Sequence, residues 1–198
     1  MSQTLIILSV VLVFICAIVN LVRRQWGINL IALALQYIGV FLLQLALRSL
    51  MMSTIPLLVG IMMTVTLWVT LIGTDQLKKP EPFKAPTSGE VFRAVAGLVT
   101  VIFVVLLVPT IRREVFPEAG SYLLLGSIGL IALSLLQLGM KTEPLYIIIG
   151  LLSFLSGFQL LYAALETSAL LEALFAVLNL GLGLTGAFFL VKAEDEAQ

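Results

Sequence analysis

The chain has 198 residues, of which 61% are hydrophobic and only 11% are charged, whereas about a quarter of the residues of a soluble globular protein carry a charge. The 11 Lys and Arg residues balance 11 Asp and Glu residues, so no net charge attracts a nucleic acid. His is absent, which removes the commonest zinc ligand and the usual haem ligand. Composition therefore predicts an all-α integral membrane protein with no metal and no other cofactor.

Seven stretches of the chain reach the length of about 20 apolar residues that a helix needs to cross a bilayer's hydrocarbon core. The first has no positive charge ahead of it and no small-residue cleavage site after it, so we predict a retained helix rather than a secretory signal. The predicted spans are Thr4–Val22, Gly27–Leu47, Leu50–Gly73, Ala94–Ile111, Ser121–Gly139, Pro144–Leu165 and Ser168–Val191.

Lys and Arg residues in the turns predict the orientation, because short basic loops resist translocation. With seven spans, eight of these residues lie on one face and three on the other. We therefore expect a multi-pass protein of the cell's inner membrane, with its N-terminus outside and its C-terminus in the cytoplasm. The eight are Arg23, Arg24, Lys78, Lys79, Lys84, Arg93, Lys141 and Lys192, and the three are Arg48, Arg112 and Arg113.

An offset of 118 residues lays Arg23–Gln76 over Lys141–Glu194 without a gap, and every predicted loop then falls on a loop. Gly39 meets Gly157 in this register. Three-helix repeats joined by one linker helix run parallel to each other, and transporters are often built from such repeats. The predicted parts are a first repeat (residues 1–73), a cytoplasmic loop (74–93), a linker helix with an external loop (94–120), a second repeat (121–191) and a cytoplasmic tail (192–198).

Amides and hydroxyls supply the deep polar side chains, and Gln36, Gln159 and Asn179 are the candidates of most interest. Such groups commonly form hydrogen bonds between membrane helices. The alternative is that they organise water, since an amide donates and accepts at once.

The two acids nearest the membrane are Glu166 and Glu172, both at the turn before the last span. A carboxylate in the first turn of a helix is favoured by the helix dipole, and Thr167 or Ser168 would cap that helix. The functional alternative is an acid at the mouth of a proton or cation path.

Three glycines near the end of the chain, Gly181, Gly183 and Gly186, match the spacing of a dinucleotide fingerprint. That fingerprint works only between a strand and a helix N-terminus, whereas these glycines lie within a membrane span. We expect them to let a neighbouring helix approach closely. The chain also lacks a sequence cluster of acid, base and nucleophile, so we predict no catalytic residues and no activity of its own.

Four features resemble the NuoK-type subunit of complex I and the MrpC-type subunits of multisubunit cation/proton antiporters. These features are a twin-arginine turn (Arg23 and Arg24), the stretch INLIALALQYIGVFL at 28–42, and the stretches GLLSFLSGFQLLYAAL and NLGLGL at 150–165 and 179–184. Hydrogenase-4 component E, a seven-span relative, is similar in length. The resemblance implies proton-relaying glutamates at the positions of three residues that are amides here: Gln36, Gln159 and Asn179.

Amides cannot bind and release a proton at ordinary pH, so the resemblance implies a mainly structural membrane subunit of an ion-translocating complex, with other membrane subunits as its partners. The alternative is a stand-alone carrier of small molecules, because SWEET-type sugar carriers share the architecture of three helices, a linker and three helices. Such carriers bend at prolines inside their spans. We expect four prolines of this chain to lie at or beyond helix ends: Pro56, Pro109, Pro117 and Pro144.

Overall fold

The structure is a computed structural model that describes residues 3–74, 88–117, 119–165 and 168–195, and the regular structure of these ranges is entirely helical. Seven of their helices are long and apolar enough to cross a membrane, which confirms the all-helical prediction and indicates a multi-pass membrane protein. The helices are α1 (Gln3–Val22), α2 (Trp26–Leu45), α3 (Leu50–Gly73), α4 (Ser88–Glu114), α5 (Ser121–Met140), α6 (Pro144–Leu165) and α7 (Ala169–Asp195).

Two helices extend beyond the apolar stretches that predicted them. Helix α4 begins at Ser88 rather than Ala94 and ends at Glu114, and α7 continues past Val191 into the segment predicted as a tail. Apolar length measures only the part of a helix within hydrocarbon, whereas long charged side chains let the same helix continue into the headgroup region. Most of the predicted cytoplasmic loop, residues 75–87, and the end of the tail, residues 196–198, lie outside the described residues.

The prediction that prolines avoid helix interiors is wrong for two of the four. Pro56 lies inside α3 and Pro109 lies inside α4. Pro144 is the first residue of α6, where its missing N–H would have had no partner within the helix. Pro117 lies between α4 and α5. Both interior prolines lie in the half of their helix nearest the α2–α3 turn.

The helices form two layers with the same internal order. Helix α2 packs between α1 and α3 in one layer, and α6 packs between α5 and α7 in the other. Across the interface α1 contacts α5, α2 contacts α6, and α3 contacts α7, while α4 covers the edge formed by α5 and α1. The apolar core lies between the layers, with Leu21, Leu133 and Leu160 in one cluster and Leu33, Leu67 and Leu152 in another.

The bounds of the helices follow the same offset of 118 residues as the sequence alignment. Gln3 and Val22, which bound α1, fall on Ser121 and Met140, which bound α5. Shifted by 118 residues, α2 likewise falls within α6. The start of α3, shifted in the same way, falls one residue before the start of α7.

Gly39 and Gly157 permit close contacts at corresponding places in the two layers. A Cβ on Gly39 would lie 2.6 Å from Val13 Cγ2 of α1, and a Cβ on Gly157 would lie 2.9 Å from Leu130 Cβ and 3.0 Å from the backbone nitrogen of Ile131 in α5. Val13 and Ile131 are themselves related by the 118-residue offset.

Glycines of α7 also face neighbouring helices. A Cβ on Gly183 would overlap Met63 of α3, and a Cβ on Gly186 would lie 2.8 Å from Ile148 Cγ2 of α6. Gly181 has no such neighbour within 4 Å. The expected contact face is therefore confirmed for Gly183 and Gly186 and wrong for Gly181.

Candidate functional site

A buried ion pair joins the two layers at one end of the bundle. Arg48 lies in the α2–α3 turn and Glu172 lies in the first turn of α7. Arg48 Nη1 contacts Glu172 Oε1, and only 4% of each side chain is exposed. Arg48 Nε also donates to the carbonyl of Ala163 in α6 at 3.3 Å. The arginine thus connects the first layer to two helices of the second, and we call this end of the molecule the Arg48 end.

The second oxygen of the same carboxylate is held by one of the predicted amides. Gln159 Nε2 of α6 donates to Glu172 Oε2 at 2.6 Å. Both carboxylate oxygens therefore have a partner from a different helix or turn. A pair of this kind is costly to bury and costlier still to break on one side, because the remaining charge then has no counter-ion.

Two further polar contacts lie deeper in the bundle. Tyr37 of α2 donates its hydroxyl to Asn179 Oδ1 of α7 at 3.3 Å, and Asn179 Nδ2 donates to the carbonyl of Phe175 at 3.1 Å. Ser153 of α6 donates to Gln36 Oε1 of α2 at 3.4 Å. Two of the three amides predicted from the sequence thus connect the layers: Asn179 joins α7 to α2, and Gln36 joins α2 to α6.

These contacts form one continuous feature because of spacing along α6. Ser153, Ser156 and Gln159 are three residues apart, which places them on the same side of a helix, and all three are buried. We call the buried polar residues between α2, α6 and α7 the polar seam. Its members are Gln36, Tyr37, Ser153, Ser156, Gln159, Glu172 and Asn179, with Arg48 at its end.

The polar seam has hydrogen-bonding capacity left over within the described residues. Gln36 Nε2 and Gln159 Oε1 are buried there without a hydrogen-bond partner, as are both amide atoms of Gln44 one turn before Arg48. A buried polar atom left unpaired costs about 1–3 kcal/mol. The seam can therefore order water, whereas its one acid is already engaged by Arg48 and Gln159.

A second polar centre lies at the opposite end, which we call the Lys141 end. Lys141, in the α5–α6 turn, is 2% exposed. Its Nζ donates to the carbonyls of Asn20 and Arg23 at 2.6 Å each and lies 4.0 Å from the centre of the Tyr146 ring. The lysine therefore caps the C-terminal end of α1, where helix carbonyls lack partners and cations are favoured.

Opposing effects act on the Lys141 amine. Burial, together with the positive charges of Arg93 and Arg24, lowers its pKa to about 7, and Glu143 and Glu90 act in the other direction. The two carbonyls and the face of the Tyr146 ring favour the protonated form.

Arg23 contributes through its backbone rather than through a buried side chain. Both Arg23 and Arg24 are exposed. The carbonyl of Arg23 accepts from Lys141 and, at 3.2 Å, from Asn29 Nδ2. The turn predicted from these two basic residues thus serves as an anchor for the second layer.

Two surface cavities lie at the Arg48 end and not along the polar seam. One of about 450 Å³ is lined by Arg112, Arg113 and Ser121, among others, and one of about 140 Å³ lies between α1, α2 and α5. Within the described ranges no group of three or more metal-ligating side chains comes together. Glu166, the other predicted acid, and Thr167 lie outside the described residues.

Comparison with known proteins returns nothing similar: no family model, no curated protein and no solved structure matches this chain. The resemblance to antiporter and complex I subunits therefore remains a hypothesis that depends on the quoted motifs.

Sequence reasoning missed the most strongly coupled residues of the site. It placed Glu172 in the first turn of its helix, as the structure does, and explained it by the helix dipole or by an ion path, but it overlooked Arg48 as its partner. It counted Lys141 only as a loop charge. The available signal was that Arg48 and Glu172 carry opposite charges at the same predicted face; the 118-residue offset itself pairs Arg48 with Glu166.

Proposed function

We propose that this chain is a mainly structural membrane subunit of a larger ion-translocating complex, of the complex I, antiporter or hydrogenase kind. The observation that carries the proposal is the engagement of Glu172 by both Arg48 and Gln159. An acid that relays protons must exchange its partners during each cycle. This acid instead ties three elements of the bundle together.

The bonds of the three amides support the same role. Gln36, Gln159 and Asn179 each have a partner on a different helix of this chain. Interhelical bonds of this type contribute about 0.6 kcal/mol each on average in membrane proteins. Of the residues that replace the proton-relay glutamates of the resembling family, Gln36 and Asn179 thus connect the two layers, and Gln159 connects α6 to α7 within the second layer.

The outer surface exposes apolar side chains that the proposed partner subunits would contact. Helix α4 exposes large apolar side chains along most of its length, including Phe92, Leu98, Phe103 and Leu106. Helix α7 exposes Phe188 at the far edge of the bundle. Lipid or the helices of other subunits would cover these faces.

We further propose that the two layers are parallel repeats. The matching bounds of α1 and α5 and the corresponding contacts of Gly39 and Gly157 support this. Because both layers keep the same helix order across their interface, the operation that relates them would be close to a translation. A half-turn about the membrane normal would instead bring α1 against α7.

The proposed orientation puts the Lys141 end in the cytoplasm of an inner membrane and the Arg48 end outside. It rests on the excess of basic residues at the Lys141 end. Arg112 and Arg113, at the last turn of α4, oppose this bias.

One observation favours the alternative of a stand-alone carrier. Pro56 and Pro109 lie inside α3 and α4, and an interior proline removes a helical hydrogen bond and permits a bend. The stand-alone alternative predicts that these two helices bend during transport.

Site-specific photo-crosslinking in intact membranes, followed by mild-detergent purification, separates the two functions. A photoreactive residue at Phe103, which is 62% exposed, should crosslink to another membrane protein, whereas one at the adjacent Val104, which is 2% exposed, should crosslink within the chain. Stoichiometric recovery of an antiporter-like or hydrogenase-like subunit supports the complex. A monomer or homo-oligomer without crosslinks from Phe103 contradicts it and favours the carrier.

A further inference from the structure

Three cations converge at the Lys141 end from three separate elements. Arg24 belongs to the α1–α2 turn, Arg93 to the first turns of α4, and Lys141 to the α5–α6 turn. Arg93 is only 6% exposed and Lys141 only 2% exposed. Their mutual repulsion contributes to the lowered pKa of Lys141. The fold therefore concentrates positive charge where two of the three cations are shielded from water.

The hydrogen bonds of this cluster are incomplete. Lys141 is occupied by the carbonyls of Asn20 and Arg23. Arg93 Nε, however, is buried with no hydrogen-bond partner among the described residues, and the same holds for both amide atoms, Nδ2 and Oδ1, of the fully buried Asn20. A buried donor of a charged group that lacks a hydrogen-bond partner is more unfavourable than an unpaired neutral group.

The acids that act on the cluster do not fill this deficit. Glu90 and Glu143 interact electrostatically with Lys141, and Glu90 also with Arg93. Neither acid is buried. Among the described residues three cations face two acids, and Tyr146 presents its ring to Lys141. Within that part of the chain the cluster therefore keeps an excess of positive charge and of unused donors.

We propose that Arg24, Arg93, Lys141 and Asn20 form a binding site for a phosphate group, carried either by an anionic lipid or by a free phosphate ion. A guanidinium binds phosphate oxygens through paired N–H groups, and an ammonium adds a point charge. The site lies at the ends of membrane-spanning helices, which is the level of lipid headgroups. It also joins both layers to α4 and does not depend on the proposed function.

The test uses the full chain purified in a neutral detergent. Phosphatidylglycerol or phosphatidylcholine is titrated into the micelles, and inorganic phosphate is compared with chloride at equal ionic strength. Thermal unfolding reports binding, since a ligand of the folded state raises the Tm, and native mass spectrometry counts the lipids retained. We expect phosphatidylglycerol or phosphate, but neither phosphatidylcholine nor chloride, to raise the Tm.

Arg93→Gln should weaken this binding by about tenfold, as expected for one lost charge-assisted hydrogen bond. Arg113→Gln removes an equal but exposed charge at the other end of α4 and should leave the binding unchanged. If Arg93→Gln does not fold, Arg24→Gln, at an exposed position, should weaken binding as well.

A response to phosphate alone assigns the site to a free anion, and a response to phosphatidylglycerol alone assigns it to a lipid. The proposal is overturned if neither probe raises the Tm or if Arg93→Gln and Arg113→Gln weaken binding equally. It is also overturned if Arg93→Gln releases a co-purifying protein while neither probe has an effect, since a partner's carboxylate would then be the counter-ion.

Discussion

Arg48 and Glu172, which are 124 residues apart in the chain, form an ion pair that is almost fully buried between the two helix layers. Gln159 completes the contact by donating to the second carboxylate oxygen. This arrangement turns an acid at the edge of a membrane helix into a connection between the α2–α3 turn, α6 and α7.

Glu172→Gln should therefore lower the free energy of unfolding by about 3–5 kcal/mol, because it removes the carboxylate charge from a buried ion pair while the arginine charge stays buried. A favourable interaction with the helix dipole alone would predict a small effect. Replacing both partners, as in Arg48→Met with Glu172→Leu, should recover most of the loss. Thermal unfolding of the single and double variants in detergent measures both effects.

Glu114→Gln is the matched control, since Glu114 is exposed at the end of α4, and its Tm should stay at the wild-type value. An equal decrease in Glu172→Gln and Glu114→Gln would contradict the role of the buried pair.

Glycine substitutions test the two close contacts between helices. Gly157→Ala should destabilise the bundle by about 1–3 kcal/mol, because the new Cβ meets the backbone of α5, which cannot move aside. Gly39→Ala should cost less, because it meets the end of the Val13 side chain, and Val13→Ala should relieve it.

Gly181→Ala is the control for these variants, since nothing lies within 4 Å of a Cβ there, and it should be neutral or slightly stabilising because alanine favours helix. Unfolding in a mixed-micelle denaturant series ranks the variants. A cost for Gly181→Ala equal to that for Gly157→Ala would contradict the packing described for α5 and α6.

The stability of the chain should depend on pH through Lys141. Burial, Arg93 and Arg24 lower the pKa of this amine to about 7 in the folded chain, against an ordinary value of 10.5. Between these two values the unfolded chain binds more protons than the folded chain, so stability should rise with pH across that window. In neutral detergent without anionic lipid, the Tm should increase from about pH 7 towards pH 9.

Lys141→Met should remove this increase, whereas Lys192→Met, at an exposed position of α7, should retain it. A Tm that falls over the same range in the wild type but not in Lys141→Met would contradict the lowered pKa of Lys141 in the folded chain.

Much of the fold was predictable from the sequence, because a membrane restricts the backbone structures that a spanning segment can adopt. Every helix that spans a membrane forms its backbone hydrogen bonds within itself, so hydropathy alone locates the helices. The ends of α4 and α7 were not predictable in this way, because charged residues extend a helix beyond hydrocarbon. Pro109 was misplaced for the same reason, since α4 continues to Glu114. Pro56 lies in the second turn of a helix whose ends were predicted correctly, and its position inside that helix was overlooked.

The site was predictable only in part. The burial of Gln36, Gln159 and Asn179 follows from their position in apolar spans. Their partners depend on how two layers pack, and no local pattern encodes that Arg48 faces Glu172 or that Lys141 reaches the carbonyls of α1. Opposite charges on two turns at the same end were the one available signal.

Cysteine labelling in intact cells tests the proposed orientation. Cys16 is buried and is first replaced by Ala, after which Arg113→Cys and Lys192→Cys each introduce one exposed thiol. Arg113→Cys should react with an impermeant maleimide in intact cells, and Lys192→Cys should react only after permeabilisation. The reverse pattern would place the Lys141 end outside.

Proton-linked flux in proteoliposomes, normalised to the amount of intact complex, tests the structural role most directly. Asn179→Leu removes the contact with Tyr37 without touching the Arg48–Glu172 pair, so it should lower assembly or the Tm modestly, by about 0.6 kcal/mol for one interhelical bond. The account predicts that flux per assembled complex stays at the wild-type level. A large loss of flux in fully assembled complex would contradict it and would assign the polar seam to the ion path.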